Sequence, residues 1–314
     1  MNSLGPSGKT RPPPAANHTQ AKSVRQNGYG CSSAVPLAPS TTWETEVAAD
    51  FAGKTALITG AGRGIGRAVA QELAEAGAQV VLLARTAGQL DETRARLLER
   101  GVPAQHVRVV PANLADDKQR GQAAATVLAA GRVDVLVNNA ATVEPLGPTT
   151  AVAAEDLRLA FEVNVVAPAT LTAAVLPGMI DAGWGRVVNV SSGIVADPAS
   201  MIRGNAYATT KAALEAYTVN LAAELRGTGV TVNAYRPGGV DTAMQAWIRG
   251  QEPERIGTGL HERFSRNFAE GALLTPEYSA AVLVSHLAGD DTGEIWDVSS
   301  APPAPRAIDR EPAR

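Results

Sequence analysis

A single cysteine, Cys31, is all that the 314 residues carry. No intrachain disulfide can form and nothing points to an oxidising compartment, so the cytoplasm is the expected location. Charge of one sign is missing as well. Lys and Arg number 28 against 31 Asp and Glu, a net charge of −3, which offers no general attraction to nucleic acid or to an anionic membrane. No apolar run is expected to approach the ~18 residues that a membrane-spanning helix needs. The four histidines, His18, His106, His261 and His286, lie far apart without metal-ligand spacing. No metal site is expected, and all four are read as structural or solvent-facing.

Periodic apolar surface is what the first 43 residues lack. They hold six prolines, six serines, four glycines and four basic residues, with no acidic one, too little to offset the entropy of ordering them. Residues 1–48 are therefore expected to be a disordered tail, or the product of a start codon assigned too far upstream. No compact stretch of signal-peptide type is present, and repeated proline opposes a faint likeness to an organelle transit peptide. Residues 301–314 (APPAPRAIDREPAR) read as a second loose end.

What lies between is patterned. TALI (55–58), VVLLA (80–84), VRVV (107–110), VDVLV (133–137), RVVNV (186–190), VTVNAY (230–235) and EIWDV (294–298) read as seven strands. They are continuous apolar runs, as strands covered on both faces should be. Helical spacing separates them: Ile65, Val69 and Leu73 mark one helix, stopped at Gly77, and Leu90, Leu97 and Leu98 mark the next, ended by Gly101 and Pro103. Repeated βα units require right-handed crossovers. The expectation is one α/β domain over 49–300: a Rossmann-type, doubly wound, mostly parallel seven-stranded sheet with helices on both faces.

The first strand runs into Thr59-Gly60-Ala61-Gly62-Arg63-Gly64-Ile65-Gly66. Glycines at such a turn permit positive φ and let a pyrophosphate approach bare backbone at a helix N-terminus. The spacing is not G-x-G-x-x-G, and a flexible turn is the plainer alternative. The end of the second strand lacks the carboxylate that an NAD site wants; Arg85 follows Ala84. A guanidinium there, with Arg63 from the turn, suits the 2′-phosphate of NADP(H), with NAD(H) second and two solvated surface arginines the alternative.

Farther on, Tyr207 and Lys211 are four apart and share a helical face. An ammonium beside a phenol would bring its pKa of ~10 toward the working range, although a surface pair would look the same. A buried strand ends in Ser191-Ser192, where a hydroxyl could meet a substrate oxygen or cap the next segment.

Taken in order, the glycine turn, Asn138-Asn139-Ala140, Asn164, Ser192, Tyr207-x-x-x-Lys211 and Pro237-Gly238-Gly239-Val240-Asp241-Thr242 resemble the motifs of classical short-chain dehydrogenases/reductases across roughly residues 51–298. The resemblance implies that Tyr207 is the general acid or base of hydride transfer between nicotinamide and a carbonyl or secondary alcohol. It implies that Lys211 binds the nicotinamide ribose and lowers the tyrosine pKa, and that Ser192, with Ser191 as runner-up, polarises the substrate oxygen. Asn164 would hold a water joining Lys211 to solvent. Gly60, Arg63, Gly64, Ile65, Gly66, Arg85, Asn113, Leu114, Asn138, Ala140, Tyr207, Lys211, Pro237, Gly238, Val240 and Thr242 would contact the cofactor. A homo-oligomer, dimer or tetramer, is implied through helices near 155–180 and 205–226.

Several positions depart from the family pattern. Asn113-Leu114 stands where an aspartate is usual, Ala141 follows Asn138-Asn139-Ala140 in place of glycine, and Asp297-Val298-Ser299-Ser300 replaces Asp-Gly-Gly. The loop between Ser192 and Tyr207 is slightly long. The substrate segment, about 243–275, holds Trp247 and a stripe of Leu260, Phe264 and Phe268, expected either to close over an apolar substrate or to pack the helix. Arg249, Arg255, Arg263 and Arg266 hint at an anionic or carrier-linked substrate such as a 3-oxoacyl thioester, and a solvated face accounts for them equally. The small-molecule reductase is weighed against a catalytically idle nucleotide sensor or scaffold of the same fold, and against a methyltransferase with a similar glycine loop.

Overall fold

The computed structural model describes residues 50–299; the expected tails, 1–48 and 301–314, lie outside the described residues. Seven strands form one sheet: β1 (Thr55–Thr59), β2 (Gln79–Ala84), β3 (Val107–Pro111), β4 (Val135–Asn138), β5 (Gly185–Val190), β6 (Val230–Arg236) and β7 (Ile295–Asp297). Their order is β3-β2-β1-β4-β5-β6-β7, and every pairing is parallel. The expected doubly wound sheet is therefore present, and among the described residues it is wholly rather than mostly parallel.

Strands β1–β6 each bury residues in two different cores. Ile58, Leu82, Val137 and Val188 face one layer with α1 (Gly64–Glu75), α2 (Ala87–Glu99) and α10 (Pro276–Leu287). Leu57, Leu83, Leu136 and Val187 face the other with α3 (Asp117–Ala129), α5 (Ala167–Asp181) and α6 (Asn205–Glu224). Both faces being covered explains why the strands read as unbroken apolar runs. Fully burying one such side chain is worth about 1.5–3 kcal/mol before conformational entropy is subtracted.

A third, smaller cluster sits apart from the sheet. Val143, Leu146, Ile194, Met201, Ile248, Ile256 and Leu260 form it, with Tyr207, Trp247 and Phe264 packed against it. It joins α7 (Ala243–Arg249), α8 (Pro253–Ile256) and α9 (Thr258–Ala269) to the loops after β4 and β5. Leu260 and Phe264 of the expected stripe pack here. Phe268, in the last turn of α9, is half exposed under the guanidinium of Arg249, 3.9 Å away.

One sequence expectation needs correction. α4 (Ala154–Phe161), a π-helical turn at Glu162–Val166 and α5 run on as a single helix. That helix, Ala154–Asp181, is long and apolar enough to cross a membrane. Composition alone hid it, because Thr, Asn, Pro and Gly interrupt the apolar residues without adding charge. Its inner face, with Leu171, Val175 and Met179, is buried against the sheet.

Candidate active site

The chain reverses direction across the sheet between β1 and β4, and the crevice at such a switch point is where doubly wound sheets bind ligands. Two residues close it. Thr59 Oγ1 donates to Val137 O (3.3 Å) and accepts from the N–H groups of Asn139 (2.9 Å) and Ala140 (3.0 Å). Asn139 Nδ2 donates back to Thr59 O (2.9 Å) and Gly60 O (3.4 Å). Gly60 has φ 67°, and a Cβ at Gly66 would lie 2.4 Å from both Asn139 Nδ2 and Gly60 O. The turn is therefore closed to side chains by the end of β4.

Its outer wall is braced as well. Arg67 Nη2 donates to Gly62 O (2.6 Å), Thr93 Oγ1 donates to Ala61 O (3.0 Å), and Arg67 also reaches Thr93 and Glu92. With these carbonyls turned to the protein, the N–H groups of Gly64, Ile65 and Gly66 in the first turn of α1 have no intrahelical acceptor. Arg63 and Arg85 are exposed, and their guanidinium groups make no hydrogen bond or ion pair among the described residues. A bare-backbone cradle with two free guanidinium groups fits a phosphorylated dinucleotide.

The remaining cofactor candidates differ in placement. Asn113 Oδ1 accepts from Ala115 N (3.2 Å), while Leu114 is buried in the core with its carbonyl taken by Arg120. Asn138 points inside, donating to Asn189 Oδ1 (2.9 Å) and Thr172 Oγ1 (3.2 Å). Thr242 caps α7, and its methyl group stands 3.3 Å from where a Cβ on Gly64 would be. The Pro237–Thr242 loop thus faces the glycine turn. Val240 is buried and bridges to Leu274, Gly238 packs against Val298, and Pro237 O accepts from Ser279 Oγ.

The four expected catalytic residues do converge. Tyr207, half-buried in the first turn of α6, has the Ser192 hydroxyl close enough to favour its ionised form, and Ser192 Oγ itself accepts from Ile194 N at 3.4 Å. Ser191 is turned away and donates to Glu215 Oε1 at 2.7 Å. Lys211 is 2% exposed, lies 5.8 Å from the Tyr207 ring and donates from Nζ to Val190 O at 2.6 Å. Asn164, fully buried in the π-helical turn, accepts from Thr142 N (2.8 Å) and donates to Thr142 O (2.8 Å) and Thr210 Oγ1 (3.0 Å). Thr210 in turn donates to Tyr207 O. Burial pushes the Tyr207 hydroxyl above the ordinary phenol value, and the neighbouring Ser192 hydroxyl pulls the other way. Burial also lowers Lys211 to about 8, with Glu215 opposing.

Other residues here carried no distinctive sequence signal. The long loop after Ser192 brings Arg203, at φ 67°, to the carbonyls of Glu254 and Arg255, and Arg255 reaches Leu146 O (3.2 Å). Of the arginines in the substrate segment, Arg255 is thus structural, and Arg249 pairs with Asp241 and Phe268. Arg263 is partly buried, with its guanidinium 5.4 Å from the Phe264 ring; burial lowers its pKa and the charge of Asp197 opposes this.

Comparison with known proteins places this geometry. A model of short chain dehydrogenases matches residues 54–253. A short chain dehydrogenase of Pseudocercospora fijiensis is 43% identical over 202 residues, covering 62% of each chain, so this chain spans less than two thirds of that relative. The solved structure of a candidate NAD(P)-dependent gluconate 5-dehydrogenase from Beutenbergia cavernae, with bound NADP, superposes with a TM-score of 0.70. It is 33% identical and covers 80% of this chain and 97% of its own. A variant of actinorhodin polyketide ketoreductase with NADPH gives a TM-score of 0.70 at 31% identity, over 78% and 95% of the two chains.

Proposed function

The chain belongs to the short chain dehydrogenase family, and from that premise we propose that it is an NADP(H)-dependent oxidoreductase interconverting a ketone and a secondary alcohol. The observation that carries this reading is a half-buried Tyr207 and a buried Lys211 one helical turn apart on α6, beside the Ser192 hydroxyl at the end of β5. NADP(H) supplies or takes up the hydride when bound. Gly60, Arg63, Gly64, Ile65 and Gly66 would hold its phosphates, with Arg85 and Arg63 on the 2′-phosphate and Asn113 and Leu114 at the adenine. Asn138 and Ala140 set the floor of the crevice, Lys211 and Tyr207 meet the ribose, and Pro237, Gly238, Val240 and Thr242 border the carboxamide. Relatives of the fold with NADP or NADPH bound support that choice.

In reduction, Ser192 orients the carbonyl oxygen and Tyr207 gives it the hydroxyl proton. The Lys211 charge and the Ser192 hydroxyl stabilise the phenolate that remains. Asn164 steadies this turn of α6 through Thr210.

Residues 49–300 are the catalytic domain in this reading, and segment 243–275 selects the substrate, a 3-oxoacyl compound or another small ketone. The apolar cluster around Tyr207, Trp247 and Phe264 supports an apolar body, and Arg263 supports an anionic end. A homodimer or homotetramer is supported by Leu157, Leu159, Val166, Ile180 and Val219, all exposed on α4–α5 and α6. The location proposed is the cytoplasm.

The test is NADPH oxidation over a ketone panel by wild type and Tyr207→Phe. Turnover lost in the variant with NADPH binding retained supports the mechanism. Full activity in the variant sinks it, and binding with no turnover in wild type would favour the idle sensor.

A further inference from the structure

The end of β5 and one face of α6 are joined at three successive residues. Val190 O accepts from Lys211 Nζ, Ser191 Oγ donates to Glu215 Oε1, and the Ser192 hydroxyl lies beside Tyr207. Tyr207, Lys211 and Glu215 stand at i, i+4 and i+8, so one helical face carries all three. Two of the contacts belong to the chemistry proposed above; the middle one does not. Glu215 is 5% exposed, and a carboxylate so placed is costly unless its oxygens are satisfied. Arg236, at the end of β6, meets both of them, through Nε at 2.8 Å and Nη2 at 2.7 Å. Ser191 is thereby gripped on two sides, since its N–H also donates to Tyr235 O at 2.7 Å.

We propose that Glu215 is a positioning residue for the reaction: by anchoring Ser191 it holds the flanking Val190 carbonyl and Ser192 hydroxyl in place against Lys211 and Tyr207. The proposal rests on the reading of Tyr207 and Lys211 given above. Charge adds a second effect. The groups facing Lys211 are Tyr207 and Glu215 from its own helix. Behind Glu215 stand Arg236 from β6 and Asp297 from β7, whose charge acts on Arg236. Glu215 favours the protonated amine, and without its charge Arg236 would lose its paired carboxylate beside the helical face that carries Lys211.

Glu215→Gln keeps the size and an acceptor for Ser191 while removing the charge. The expected result is a ~10–100-fold fall in kcat for NADPH-dependent ketone reduction, with KM for NADPH changed less than about threefold. The alkaline limb of the kcat profile should move down by about one pH unit. Ser191→Ala, which frees the strand end but leaves the charge, should lower kcat several-fold without moving that limb. NMR titration of labelled lysine side chains reads the Lys211 pKa without turnover, and in Glu215→Gln it should fall. Wild-type kcat and an unmoved limb in Glu215→Gln would overturn the proposal, as would an unchanged Lys211 titration. If Glu215→Gln fails to fold, wild-type kcat in Ser191→Ala overturns it instead. Failure of the underlying reading looks different: Tyr207→Phe would then keep full activity.

Discussion

Replacing Arg85 by Asp tests the cofactor most directly. Arg85 is exposed at the end of β2 and bonds to nothing among the described residues, so its loss should leave the fold intact. A charge-assisted bond to a 2′-phosphate is worth about 1.5–3 kcal/mol, and the solvent around Arg85 argues for the lower end. Arg85→Ala should therefore cost NADPH about tenfold in affinity. Arg85→Asp adds repulsion of similar size and offers a carboxylate to the NADH ribose, so the NADPH/NADH ratio of kcat/KM should drop about 100-fold or more. Arg63 remains in both variants and sets a floor to the loss. Steady-state kinetics with each cofactor at low and high salt measure this, and the preference of wild type should weaken with salt. Arg67→Ala is the control, because Arg67 braces Gly62 and Thr93; it should lower Tm and weaken both cofactors alike. An unchanged ratio in Arg85→Asp would refute the assignment of the 2′-phosphate to this residue.

Three further outcomes are expected. Gly66→Ala should abolish binding of either cofactor and destabilise the protein by about 1–3 kcal/mol, read by NADPH titration and thermal melting, because the new methyl would meet a backbone carbonyl at 2.4 Å. Ketone reduction should hold steady at neutral pH and decline as pH rises through about 8, where Lys211 loses its proton; a rate still rising at pH 9 would contradict this. Arg263→Gln should reduce kcat/KM for ketones bearing a carboxylate or phosphate about tenfold and leave neutral ketones within about twofold. Equal effects on both would remove Arg263 from substrate choice.

Much of this was legible in the chain because both the sheet and the cradle impose local rules. Seven apolar runs mark seven strands, since a strand covered on two faces has no polar side to show. Tyr207, Lys211 and Ser192 could be picked out because helical spacing and a strand terminus place them. The part played by Asn139 is not legible in its motif: nothing local tells which of Asn138 and Asn139 turns outward. The pleat decides it, sending Asn138 to Asn189 and Thr172 and leaving Asn139 for the glycine turn. Glu215 and Arg236 are 21 residues apart on different elements, and only the packing of α6 on β6 reveals them as a pair. Phe268 fitted an apolar stripe, yet the cluster ends before the last turn of α9, where Arg249 covers it.

The contacts of Thr59 with Asn139 and Ala140 span about 80 positions in the chain. During synthesis, the amino-terminal half of the sheet emerges with its glycine turn unshaped, since the side chain that closes it has not yet been made. The glycine turn can therefore take its closed shape only once β4 lies beside β1, and the residues proposed to complete the coenzyme site, as far as Thr242, emerge later still.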